Sequence, residues 1–161
     1  MAATYEPIAT TTLGSASNSV SFTSISGSFT DIIIICNYVH SVASNILGRF
    51  NSDTGSNYSW TFLEGLNSAA GSGRGSSQAY LNLGYSFGTN SHNSNIIQIQ
   101  NYSNTTTYKT AINRQNQPTG YVSATVNLWR STAAITAIEL YPVNGNFNSG
   151  STFTLYGIAS A

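Results

Sequence analysis

Short runs of alternating apolar and polar residues return along this chain about every ten residues, each stopped by a cluster of Gly, Asn, Ser, Asp or Pro. That recurrence constrains the fold more than any other feature. SVSF at 19–22 alternates, and TDIIIICNYV at 30–39 reads as a strand covered on both faces. NILGRF at 45–50 is a shorter run, and SNYSWTF at 56–62 sets Tyr58, Trp60 and Phe62 on one face. Further runs are QAYLNLGY (78–85), NIIQIQNY (95–102), TTYKTAIN (106–113), YVSATVNLW (121–129), AITAIELY (134–141) and a terminal FTLYGI, in which Phe153 and Leu155 face the core. The turn clusters between them include NSDTGS, AAGSGRGSS, GTNSHNS and NQPTG.

No stretch carries a helical period with caps; FLEGLNSAA at 62–70 comes nearest and is interrupted by glycine. The expectation is an all-β single domain over 1–161, an antiparallel β-sandwich of about eight to ten strands, jelly-roll-like. Residues 1–13 read as an N-terminal arm or edge strand, because Pro7 cannot donate to a central ladder. Gly157 shares the core phase of the last run, which predicts a close approach by another backbone or a ladder irregularity.

Charge narrows the function classes. Five Lys+Arg face five Asp+Glu in 161 residues, so the chain lacks the cationic cluster that phosphate neutralisation requires, and nucleic acid is excluded as a main partner. The start, MAATYEP, has neither a basic nor an apolar leader segment, and no apolar run spans a bilayer; a soluble chain made in the cytoplasm without a membrane partner is expected. A surface this poor in charge is protected by hydroxyls and amides or covered by partners. The single cysteine, Cys36, lies in an apolar run and reads as a buried inert thiol.

Chemistry-bearing motifs are few. Asp53-Thr54-Gly55 resembles the loop of aspartic proteases, but that reaction needs two carboxylates sharing a proton and there is no second such motif. A tight turn is expected instead, with the Asp side chain bonded to its own backbone and Gly55 at positive φ. His40 reads as a satisfied strand-end residue and His92 as a solvated turn residue. Neither has local partners for a metal. Glu6, Asp31, Glu64 and Glu139 are scattered. No catalytic, cofactor-binding or metal site is predicted. GSGRGSS at 71–77 reads as a flexible contact loop with Arg74 at its tip. Strand alternation sets Trp129 with Asn127 and opposite Val126 and Leu128, so Trp129 either faces outward, as a sugar platform or subunit contact, or is covered by a second layer.

RFNSDTGSNYSW following the TDIIIIC strand, then LWRSTAAITAIELYPVNGNF, then GSTFTLYGI, in that order and spacing, resemble a group of small tailed-bacteriophage virion proteins. The resemblance runs from TTLGSASNSVSFTSI to the terminus. It implies a jelly-roll-like fold and a structural role in the virion, as a capsid decoration (cement) protein or as a tail-fibre or receptor-binding domain, with no catalytic residues. A short chain that opens on a strand-like arm favours the cement role: a homotrimer clamping neighbouring major capsid proteins, assembled in the host cytoplasm. The interface candidates are Tyr5 and Ile8 in the arm at 3–13, Arg74 and Trp129. The alternative is a module recognising host surface glycan through the aromatic and Asn-rich tip at 85–93.

Overall fold

The computed structural model describes residues 4–118 and 120–159; Ala3 of the arm and the last two residues of the chain lie outside them. The described residues form twelve strands and no helix: β1 (Tyr5–Thr12), β2 (Val20–Phe22), β3 (Asp31–His40), β4 (Ser44–Phe50), β5 (Tyr58–Leu66), β6 (Ala69–Gln78), β7 (Leu81–Ser86), β8 (Ser91–Ile99), β9 (Lys109–Gln117), β10 (Tyr121–Trp129), β11 (Ile138–Pro142) and β12 (Thr152–Ile158). They make an eight-stranded sheet in the order β1-β12-β3-β8-β9-β10-β5-β6 and a four-stranded sheet in the order β2-β11-β4-β7, with every pairing antiparallel. The segment β1-β12-β3-β8 facing β2-β11-β4-β7 is a jelly roll. Two inserted hairpins, β5-β6 and β9-β10, widen one sheet only.

The expected β-sandwich is therefore present, with more strands than the expected eight to ten. The excess includes β6, because GSGRGSS is not a loop. Its backbone pairs with β5 from Leu66↔Ala69 to Trp60↔Gly75, and the neighbouring ladder imposes a strand where intrinsic propensity favours none. Likewise β9 runs on to Gln117, beyond the predicted end of its run at 113.

The apolar core lies between the jelly-roll halves. Ile32, Ile34, Phe153 and Leu155 of the large sheet meet Phe22, Ile46, Phe50, Leu83 and Leu140 of the small one. Each fully buried side chain of this size contributes about 1.5–3 kcal/mol relative to exposure. Phe153 and Leu155 lie on the core side, as their alternation requires. Over Gly157 lies the ring of Phe29, where a Cβ would collide; the expected close approach is thus by a side chain and not by a backbone. Cys36 is a buried free thiol, and burial pushes its pKa well above the ordinary value.

Candidate functional site

The inserted pair β9-β10 is built inside out. Its buried inward set is Lys109, Ala111, Asn113, Gln115 and Gln117 on β9 and Tyr121, Ser123, Thr125, Asn127 and Trp129 on β10, mostly polar, while its outward set includes Ile112, Val122 and Val126. The inward amides have a defined task, since β7 is an edge of the small sheet and its free backbone groups face them. Asn127 Oδ1 accepts from the Asn82 N–H (2.8 Å) while its Nδ2 donates to the Asn82 carbonyl (3.1 Å), standing in for a strand partner. Asn95 and Asn113 both donate to the Leu83 carbonyl, at 2.7 and 3.2 Å, and Gln115 donates to the Tyr85 carbonyl at 3.1 Å. Gln117 accepts from the Phe87 N–H at 2.9 Å and donates to its carbonyl. Buried backbone groups left without partners would each cost about 1–3 kcal/mol, so an amide layer there stabilises more than an apolar one.

On the other side of these strands, apolar side chains stand in solvent. Leu63 is 66% exposed, Val122 58% and Val126 51%, with Ile112 also exposed. The register makes them neighbours. One row runs Arg74–Thr61–Val126–Ile112–Gln98–Ile33–Tyr156, and the next Ser72–Leu63–Ala124–Arg114–Ile96–Ile35–Thr154. Arg74 on the edge strand β6 bounds this apolar set on one side, while Arg114 stands within it, between Ala124 and Ile96. A shallow depression of about 300 Å³ lies beside Arg74, between Gly75, Val126 and Leu128. On the outer side of β3, Ile33 is buried while Ile35 and Val39 are half-buried, so the coverage expected on both faces of this run is met only in part.

The four predicted interface residues separate. Tyr5 is exposed on β1, its ring edge-on to Tyr156, while Ile8 sits at a register shift between Pro7 and Ala9 and packs against the core. The arm is thus an edge strand paired along β12. Arg74 is exposed, but on β6 and not on a loop. Trp129 is the clear correction: at 2% exposure it is enclosed by the chain itself, stacked on Tyr58 and edge-on to Phe50, and it offers no surface to a partner.

The Trp129 indole N–H donates to Asp53 Oδ2 at 2.7 Å. Asp53 also accepts from Asn57 Nδ2 (2.9 Å) and the Gly55 N–H (2.8 Å). Partial burial raises its pKa, but the donors Trp129, Asn57 and Gly55 outweigh that and hold the carboxyl below its ordinary value. The turn is as expected except for its backbone, where positive φ falls on Asn51 and Ser52 instead of Gly55. His40 is buried with Nε2 3.0 Å from the Asn144 carbonyl, and burial lowers its pKa against that contact. His92 is on strand β8 and not in a turn. The predicted tip at 85–93 is divided between the end of β7, the turn at 87–90 and the start of β8. Among the described residues no three His, Cys, Asp or Glu side chains converge as for a metal.

A groove follows the overhang where β5-β6 extends past β7. Its two lobes, about 560 and 220 Å³, share Asn45, Phe62 and Asn82. Trp60 and Phe62 stack at 5.9 Å between ring centroids and lie across β6, over Gly75 and Gly73. A Cβ at Gly73 would stand 2.7 Å from the Phe62 ring and one at Gly75 2.6 Å from the indole, so glycine at alternate positions is what lets the rings lie flat. Sequence reasoning put these aromatics on one face but missed the glycines. Their period of two, facing aromatics of the same period, was the available signal.

No protein-family model and no curated protein matches the chain. Among solved structures it is similar to the exo-inulinase from Aspergillus awamori, at 13% identity and a TM-score of 0.37, over 96% of this chain and 29% of that one. It is also similar to a PL-14 alginate lyase from Aplysia kurodai, at 11% identity and a TM-score of 0.37, over 85% of this chain and 72% of that one. Likenesses this weak say nothing of function, and the chain spans under a third of the inulinase.

Proposed function

We propose that this chain is a non-enzymatic structural protein of a tailed-phage virion, a capsid decoration protein that stabilises the major capsid protein lattice as a homotrimer. The observation that carries the assembly role is the inside-out pair β9-β10: apolar side chains that a monomer would bury are held outward, next to Leu63, on one sheet face. Contiguous exposed apolar surface with a polar rim marks an interaction site. With so few charges, nothing else on the surface resists association strongly. The virion setting is supported by the resemblance of the 49–60, 128–147 and 150–158 segments to virion proteins. The open side of β1 supplies a second contact, by strand addition to a capsid protein.

Copy number in purified virions tests this reading. Hundreds of copies, together with particles that burst on heating when the protein is removed, are expected. A few copies at the tail, with loss of adsorption and unchanged heat resistance on removal, would replace it with the receptor-binding role.

A further inference from the structure

We infer that the groove under the β5-β6 overhang binds a neutral oligosaccharide. This goes beyond the assembly role and uses the opposite face of β5. Three observations meet there. First, Trp60 and Phe62 form a partly exposed aromatic platform, with ring planes 29° apart, that exists only because Gly73 and Gly75 vacate the space beneath the rings. Such a surface matches the C–H face of a pyranose ring, and two adjacent rings suit two successive sugar units.

Second, hydrogen-bonding capacity is left over along the platform. Among the described residues, the Asn45 side-chain amide and Asn82 Nδ2 have no partner within the chain; Asn82 Oδ1 is occupied by the Gly84 N–H at 3.0 Å. Deeper in the smaller lobe, the Thr125 hydroxyl is unpartnered at 1% exposure. A buried hydroxyl in a groove wall without a partner is the feature a ligand hydroxyl satisfies. Third, among the described residues the only charged group lining the groove is Glu64, and Arg74, on the same hairpin, points to the other face. A lone carboxylate opposes anionic sugars and accepts from neutral hydroxyls. An apolar protein segment is a poorer match, because it would cover these amides and the hydroxyl without bonding them.

The test is a titration of the full chain with cellohexaose, maltohexaose and laminarihexaose, each to about 10 mM so that millimolar binding registers, followed by 15N NMR with assigned indole and amide signals. At least one probe should shift the Trp60 indole and the Asn82 and Thr125 amides saturably, and trigalacturonate should not. Trp60→Ala should weaken that binding by about tenfold or more. Gly73→Ala should do the same by lifting the Phe62 ring, with all ligand-facing side chains retained; it decides the matter if the tryptophan variant folds poorly. Thr105→Lys, in the exposed bend between β8 and β9, should leave affinity unchanged. The inference is overturned if none of the three probes moves these signals, if the shifts lie elsewhere, if trigalacturonate binds as well as the neutral probes, or if Gly73→Ala binds like the parent.

Discussion

The strands β3-β12 and β9-β10 lie in one sheet yet build their inner faces from different kinds of side chain. In β3-β12 the inward set is Ile32, Ile34, Phe153 and Leu155, as burial of apolar surface demands. In β9-β10 the inward set is mostly amides and hydroxyls, and apolar residues look out. The difference follows from what each pair faces. The first meets the flat inner side of the small sheet, whose backbone is already paired. The second meets the edge of β7, a row of peptide groups that only hydrogen-bonding side chains satisfy. Apolar residues on the outside of β9-β10 have no such local cause, which is why they point to a partner.

The largest effect is expected from substitution in the amide layer. Asn127→Leu keeps volume and adds apolar character, but it leaves the Asn82 N–H, the Asn82 carbonyl and Asn113 Oδ1 without this partner. A loss of about 3–5 kcal/mol in urea unfolding is expected, comparable with the roughly 2–5 kcal/mol of Ile34→Ala in the apolar half. A stabilised Asn127→Leu would show that the layer is not capping β7.

Trp129→Phe is the next largest. Ring packing on Tyr58 and Phe50 survives while the hydrogen bond to Asp53 is lost, for about 1.5–3 kcal/mol. The same change should raise the Asp53 pKa. Because that pKa is depressed on folding, its stabilisation is present above the ordinary carboxylate value of about 4 and is lost as pH falls through the folded value. The stability gap between the parent chain and Trp129→Phe should therefore narrow as pH falls below about 4.

His40 sets a smaller effect at milder pH. Its pKa is lowered by burial, so its contribution is complete above about 6.5 and declines as pH falls toward the folded value, the unfolded chain taking up the proton first. Urea midpoints measured at about pH 7 and about pH 5 should differ less in His40→Gln than in the parent.

Much of this was legible in the sequence. The alternation located most strands, set Phe153 and Leu155 inward and put Trp129 in phase with Asn127. What alternation cannot give is which phase faces in. In YVSATVNLW the more apolar set is Val122, Ala124, Val126 and Leu128, and it faces out; the phase is fixed by the ends, Tyr121 and Trp129, and by a β7 edge brought near only by the fold. The strand β6 was illegible for a related reason. Its glycines carry no propensity of their own, and the rings that require them lie on the preceding strand.

The smallest effect on folding is expected at the outer face. Val126→Lys on the outer face should change monomer stability by no more than about 0.5 kcal/mol, yet it places a charge in the middle of the proposed interface. Sedimentation equilibrium of the purified parent and this variant measures whether the outer face holds the trimer together. A parent that sediments as a trimer and a folded Val126→Lys that sediments as a monomer are the predicted result. A parent that stays monomeric, or a trimer indifferent to Val126→Lys, would contradict it.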